Sequence, residues 1–386
     1  ALYWPALDRL ILVAAAIMLM GALLIWMRRR DPPARLSRGA WNRLPYSLAA
    51  FALGIGSLIL HLEGVLPAAI AVLSILCLAA GFSELALGIG TGGPMKHAVA
   101  GLLHLAFHPC PERFAGERAT ALKPLALDRD DFGIEKPKDF AWNQLLGFDA
   151  CVQCGKCEDQ CPAFASGQPL TPKKLIQDLV AGLASTSDAA YAGRPYPGRS
   201  TGGHSGALDA PVVPRLIEAE TLWSCTTCRA CVEACPMMIE HVDAIIGLRR
   251  HRNLVAGEAP GKAAETLANL RETGTQGGYD LHQRYNWGID LGLKIAEPGK
   301  PIDVLLIAGE GAFDMRYQRT LRALVRILKA ANVDVAVLGA TERDTGDTAR
   351  RLGDEATFQS LAQTNIETLR TLTFRTIVTP DPHVLH

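Results

Sequence analysis

Three apolar runs in the first ninety residues leave the backbone little choice. Leu10 to Met27, Tyr46 to Leu62 and Val65 to Phe82 contain no Asp, Glu, Lys or Arg. Each lies near the short end of the roughly 17–25 residues that cross a hydrocarbon core as a helix. In lipid, a single segment can satisfy its own amides only as a helix. Buried helices of a water-soluble core are the alternative, and three such runs in succession do not suit one. The 386-residue chain as a whole is 49% hydrophobic and 20% charged, with 39 basic residues balancing 39 acidic ones. That balance excludes a disordered chain and gives no overall electrostatic reason to expect a nucleic-acid partner. The length suggests two or three domains.

The loop after the first run carries Arg28, Arg29, Arg30, Arg35, Arg38 and Arg43 against one acid, Asp31, whereas His61 to Gly64 has neither Lys nor Arg. By the positive-inside rule the first loop is cytoplasmic, the N-terminus lies outside, and the chain after about Gly90 returns to the cytoplasm. These charges follow the first apolar run instead of preceding it, which is not the order of a signal peptide. Ala1 is consistent with a removed initiator Met.

Met95 to Phe107 has apolar residues at helical spacing and suits an interfacial helix. His97, His104 and His108 share one side of it. They read as a polar face at the headgroup level or, alternatively, with Glu84, as the neighbourhood of a quinone, or less favourably of a haem b. Gly88 to Gly93 matches G-x-G-x-x-G but follows a membrane helix instead of a strand, so a dinucleotide site is rejected.

The chemistry resides in cysteines. Cys151-x-x-Cys154-x-x-Cys157-x-x-x-Cys161-Pro162 is followed by Cys225-x-x-Cys228-x-x-Cys231-x-x-x-Cys235-Pro236. Each is the ferredoxin run for a [4Fe–4S] cluster, in which the fourth cysteine ligates the other cluster of a pair. One cluster is therefore assigned to Cys151, Cys154, Cys157 and Cys235, and the other to Cys225, Cys228, Cys231 and Cys161. Zinc, the alternative, does not call for triple spacing with a terminal Cys-Pro. Gly155, Ala230 and Ala234 keep side chains out of the cluster space, and Lys156 and Arg229 bring positive charge to it. Cys77 and Cys110 have no partner at ligand spacing. Thr171-Pro172 opens a helix through about Leu183. Ser185 to Pro211 reads as a surface loop, and Leu222 and Trp223 as cover for the second run. Near the C-terminus, strands at Lys300–Gly309, Val333–Leu338 and Arg375–Thr379 alternate with helices at Arg316–Ala331 and Phe358–Leu372, predicting a parallel α/β arrangement. The residues after His386 would decide whether this sheet is completed.

With these motifs and the stretches GEGAFDMRYQRTLRALV, VLGATERDTGDTARRLGDEATFQ and NIETL, the chain resembles membrane-anchored iron–sulfur oxidoreductases of the dimethylglycine catabolism B type, related to D-type heterodisulfide reductase and the glycerol-3-phosphate dehydrogenase iron–sulfur subunit. The resemblance implies a degenerate first half of a cysteine-rich CCG domain. Where relatives place thiolates, this chain has Glu310, Asp344, Asp381 and Val384, which speaks against heterodisulfide-type chemistry. The expected fold class is mixed: a three-helix transmembrane module (1–92), a juxtamembrane segment (93–140), an α-helical ferredoxin-like domain with two [4Fe–4S] clusters (141–255), a linker (256–300) and an α/β half-domain (301–386). The resemblance implies an electron-transfer subunit in a bacterial inner membrane. It would take electrons from an electron-transferring flavoprotein, or a flavin demethylase of dimethylglycine or similar methylamines, and reduce membrane quinone. The alternatives are an enzyme with its own site in the α/β part and a structural or sensory iron–sulfur anchor.

Overall fold

The computed structural model describes residues 5–31, 35–36, 40–91, 93–117, 120, 122–128, 132–183 and 208–385. It divides into two compact units, residues 1–122 with 135–245, and residues 123–134 with 246–386.

The first unit opens with three long helices, α1 (Pro5–Arg30), α2 (Leu44–Leu62) and α3 (Ala68–Thr91), all long and apolar enough to cross a membrane. Leu10, Ile17, Val72 and Leu76 point outward and are exposed, the reverse of a helix packed in a water-soluble core. The third span sits later than the sequence reading of Val65 to Phe82. The amides of Val65 and Leu66 donate to Leu60 O and complete a turn. The helix then starts just after Pro67, where a missing N–H is harmless, and carries Ser83 and Glu84 in its last turns.

Glycine and serine join α2 to α3. A Cβ at Gly54 would lie 2.4 Å from Leu78 N, and one at Gly81 2.4 Å from Phe51 N. Deeper in the contact, the hydroxyls of Ser57 and Ser74 meet at 2.7 Å, with Ser74 buried. Lipid gives no hydrophobic drive to pair helices, so close backbone approach and interhelical hydrogen bonds must supply the association.

Helix α4 (Pro94–Ala106) follows. Val99, Leu102, Leu103 and Phe107 lie on its exposed side, while His97, Ala100 and His104 are buried. The histidines thus face protein, not the headgroup level that the sequence suggests. Helix α5 (Trp142–Asp149) leads into the first cysteine run, and the helix Pro172–Leu183 forms where Thr171-Pro172 predicts it. Most of the loop expected at 185–211 lies outside the described residues.

In the second unit, β1 (Lys294–Ile295), β2 (Ile302–Leu306), β3 (Val335–Val337) and β4 (Phe374–Val378) form one parallel sheet in the order β1-β3-β2-β4. Leu305, Leu306 and Ala336 are fully buried in it. The last three strands and the helices Tyr317–Ala330 and Glu355–Arg370 occur where strand and helix periods alternate. The stretch 256–300, expected as a linker, is instead structured: it holds a helix (Gly261–Thr273), 3-10 turns (Leu281–Leu291) and β1. Both side chains of β1 are exposed and it is held by its backbone, so it leaves no apolar trace in the sequence. Residues 123–134, expected as juxtamembrane, belong to this unit too. Arg250 donates to Lys123 O at 3.0 Å and the Ile134 amide to Gly247 O at 2.9 Å.

Gly54→Leu is expected to destabilise the protein by at least ~1–3 kcal/mol, the usual cost of overpacking. Gly21→Leu, at a site with nothing within 4 Å, should leave stability nearly unchanged. Thermal unfolding of the detergent-solubilised variants compares the two.

Candidate metal centre

The two cysteine runs fold alike. Residues two and four after the first cysteine are left-handed in both, Gln153 and Gly155 in one, Thr227 and Arg229 in the other. Short helices follow at Lys156–Asp159 and Ala230–Glu233, so Cys157 and Cys231 start equivalent turns. Alternating left-handed residues turn successive amides into the loop, as in anion-binding nests. The Thr227 amide donates to Cys225 Sγ at 3.3 Å. Left-handed geometry is easy for Gly155 and costly for an arginine. Arg229 is held there by ion pairs to Glu240 at 2.8 Å and Asp243 at 3.1 Å.

The thiols close enough to raise one another's proton affinity fall into two crossed groups. Cys235 acts on Cys151 and Cys157, and Cys154 on Cys151 and Cys235. Cys161 acts on Cys231, as do Cys225 and Cys228, and Cys228 acts on Cys161. The groups meet where Cys231 acts on Cys157. Burial pushes the Cys151 thiol up to about 12 and raises Cys157, Cys161, Cys231 and Cys235 as well. Free, these groups keep their protons; a bound iron centre displaces them. Among the described residues, no three His, Cys, Asp or Glu side chains converge tightly enough for a single ion. Triple cysteine spacing with a terminal Cys-Pro in both runs fits cubanes better than tetrahedral zinc, whose sulfurs all stand about 2.3 Å from one ion.

The neighbours divide as well. Lys156 is exposed, whereas Leu222 is fully buried ahead of the second run. Cys77 is half-buried in α3. Cys110 is buried apart from both groups, its thiol pushed up to about 11 by burial and then by Glu240, Glu112 and Asp243.

All three histidines are buried, and two of them, His104 and His108, meet. His97 Nδ1 donates to Asp149 O at 2.8 Å and stacks on Trp41. His108 Nε2 donates to Met238 O at 3.0 Å, while its Nδ1 lies 3.1 Å from the Cys110 amide. His104 meets His108 edge-on and fits against Gly147, where a Cβ would come within 2.8 Å of its ring. Burial, then His108, lowers its proton affinity against the backbone oxygens of Met238, Met237 and Asn143, and neither ring nitrogen makes a hydrogen bond of regular geometry. Glu84 does not join them: it pairs with Arg43 at 3.4 Å.

Sequence reasoning missed two charged anchors. Arg35, from the loop between α1 and α2, donates to Cys154 O at 2.7 Å. The arginine-rich loop and the cysteine loops therefore lie on one side of the helices. In the second unit, Arg284 is 1% exposed and pairs with Glu342 and Glu310, both at 3.0 Å, under the ring of Phe313. Gln276 bonds Asp344 at 2.9 Å beside it, and Asp381 abuts Gly309. Three of the four positions that lack the expected thiolates thus border the carboxyl ends of the strands, in or next to an arginine–carboxylate network. The fourth, Val384, packs with the apolar group of Leu305 and Leu338.

Residues 1–130 match the model of a domain of unknown function, DUF3483, and residues 147–239 match that of a 4Fe-4S dicluster domain. The chain is 58% identical to a "Probable membrane-anchored ferredoxin" of Chromohalobacter salexigens, over 98% of its own length and 59% of that protein's. It is 34% identical to the "EtfAB:quinone oxidoreductase" of Syntrophomonas wolfei, over 66% of the chain and 38% of the relative. It is 35% identical to the "Probable iron-sulfur-binding oxidoreductase FadF" of Bacillus subtilis, over 66% and 40%. The chain therefore spans between about two fifths and three fifths of these relatives. No solved structure matches. The cofactors of this chain are iron–sulfur clusters, carried by a domain of the 4Fe-4S dicluster type.

Two outcomes follow from this geometry. Gly155→Val places a branched side chain where a Cβ already comes within 2.4 Å of Arg35 O, so purified protein should lose about half its iron by colorimetric assay, the share of one of two clusters. Arg284→Met leaves Glu342 buried without its cation and should cost about 3–5 kcal/mol in chemical denaturation, with iron content unchanged.

Proposed function

We propose that this chain is the membrane-bound electron-transfer part of a flavoprotein:quinone oxidoreductase. The donor is a soluble flavoprotein, either an electron-transferring flavoprotein or a flavin-dependent demethylase of dimethylglycine or a similar methylamine. The acceptor is membrane quinone. The observation that carries this reading is the crossed grouping of eight thiols within the same unit as three helices able to span a bilayer.

Cys151, Cys154, Cys157 and Cys235 would hold one cluster, and Cys225, Cys228, Cys231 and Cys161 the other. When bound, such clusters exchange single electrons at potentials set by their surroundings. The chain's own residues supply those surroundings: buried thiols, inward-turned amides and the charges of Arg35, Lys173 and Arg229. The flavoprotein and quinone partners are supported by the likeness to a protein named for both. The arginine-rich loop supports a cytoplasmic position for the cysteine loops, with the N-terminus outside. A quinone site near α4 is supported by its exposed apolar side, Val99, Leu102, Leu103 and Phe107, above the buried histidines. Glu84, paired with Arg43, is the less favoured wall of that site.

The arginine–carboxylate network of the second unit weighs against a thiolate-based active site there. Reconstituted into quinone-containing liposomes, the full chain should carry about eight irons and pass electrons from reduced electron-transferring flavoprotein to the quinone. Cys154→Ser should abolish that flux. Flux that persists in Cys154→Ser, or iron-replete protein that reduces no quinone from any flavoprotein donor, would sink the reading.

A further inference from the structure

The segments joined to the membrane helices do not touch the two cysteine groups equally. Arg35 makes two polar contacts with the first loop and one with the helix that follows it. Its Nη1 donates to Cys154 O at 2.7 Å, and its Nε pairs with Asp159 at 3.1 Å. Its carbonyl accepts from Lys173 Nζ at 2.6 Å, and the same carbonyl occupies the space that a Cβ on Gly155 would need. Lys173 is 2% exposed and pairs with buried Glu158 at 3.1 Å, one residue beyond Cys157.

A second strut runs through Trp41. Its ring stacks on His97 at 5.2 Å and 22°, and His97 donates to Asp149 O, two residues before Cys151. Lys96 pairs with the Asp149 carboxylate at 2.7 Å. The third is α4 itself. Gly101 makes room for the end of Met237, and the nearby His108 donates to Met238 O; both methionines directly follow Cys235 and Pro236.

Most of these partners lie within three residues of Cys151, Cys154, Cys157 or Cys235; Asp159 stands midway between Cys157 and Cys161. Among the described residues, Arg113, just beyond α4, reaches the loop of Cys225 to Cys231: it donates to Val232 O at 3.4 Å and pairs with Glu233 and Glu240. Cys228 of that loop is exposed. The exposed apolar side of α4 continues to Trp142 at the start of α5, where Phe107 meets the Trp142 ring edge-on at 5.9 Å. Aromatic side chains of this kind suit the membrane–water boundary.

We propose that the group of Cys151, Cys154, Cys157 and Cys235 is the membrane-side centre, that the group of Cys225, Cys228, Cys231 and Cys161 is the solvent-side centre, and that Arg35 is the positioning residue that holds the first against the membrane helices. The proposal rests on the ligand assignment above but not on the identity of donor or acceptor. It orders the two centres, which the cysteine spacing alone leaves symmetric. Arg35 also brings a half-buried cation to the first loop, and a positive charge beside an anionic centre raises its reduction potential.

The full chain in liposomes tests it by electron paramagnetic resonance of the reduced centres, with their signals assigned through Cys154→Ser and Cys228→Ser. A lanthanide chelate attached to lipid headgroups should speed relaxation of the signal altered by Cys154→Ser. A free aqueous dysprosium chelate should act more strongly on the other. In redox titrations Arg35→Gln should lower the first midpoint potential and leave the second in place, and Arg35→Lys should restore most of the shift. If Arg35→Gln loses iron, Asp159→Asn, which removes an anion from the same loop, should raise the first potential alone. The reverse relaxation order, equal relaxation of both signals, or substitutions at Arg35 and Asp159 that move both potentials or neither would overturn the proposal. A failure to reduce quinone with the order intact would count against the proposed function and not against this arrangement.

Discussion

The first unit depends on a chain-closure constraint. Each cysteine run ends in a Cys-Pro whose thiol faces the other run, although 63 residues separate Cys161 from Cys225. On the proposed assignment, each donor set lacks one thiol until the chain has returned, so local sequence alone builds only three quarters of it. Between the runs, the helix Pro172–Leu183 buries Leu175, Ile176, Leu179 and Val180. Its first turn supplies Lys173, which meets both Glu158 of the first run and Arg35. The element that brings the second run back also braces the first.

That brace links the cysteines to the membrane helices through polar contacts, not apolar ones. Helices α1 to α3 present apolar side chains to their surroundings and have little left with which to hold a water-soluble domain. The hold comes instead from the loop between α1 and α2 and from the inward side of α4. A buried Lys173–Glu158 pair is no assurance of stability, because desolvation offsets much of its attraction. Its value here lies in register: Lys173 and Arg35 interlock only in one setting of the loop on the cysteine run.

Much of this was legible in the sequence because it depends on short-range rules. Uncharged runs, cysteine spacing and alternating strand and helix periods each report on a few consecutive residues. The third span slipped because Val65 and Leu66 are as apolar as the helix they precede, and only hydrogen bonding to Leu60 marks them as a turn. The stretch 256–300 was misread because β1 pairs through its backbone with both side chains exposed. Spacing puts His97, His104 and His108 on one side of a helix, but a helical period cannot say whether that side faces headgroups or protein, nor that only His104 and His108 meet among the described contacts. Arg35 looks like any of six arginines in its loop; its distinction is a contact 119 residues away in sequence.

Arg284 shows the same limit from the opposite direction. The acidic residues at 310, 342 and 344 suggest a repulsive cluster if read as a list. In the fold, burial raises Glu310 and Glu342 while Arg284 draws them down, and the amides of Ala308 and Gly309 donate to Glu342. The carboxyl ends of parallel strands are where such sheets usually bind ligands. Here that edge is closed by a cation, its carboxylates and the Phe313 ring, stacked in turn on Tyr279. A thiolate-ligated centre at the same edge would need soft donors with room between them, and the arginine side chain takes that room. The sheet thus retains the topology of a ligand-binding fold while its mouth is filled by charge, which leaves the redox chemistry of this chain to the unit that carries the cysteines.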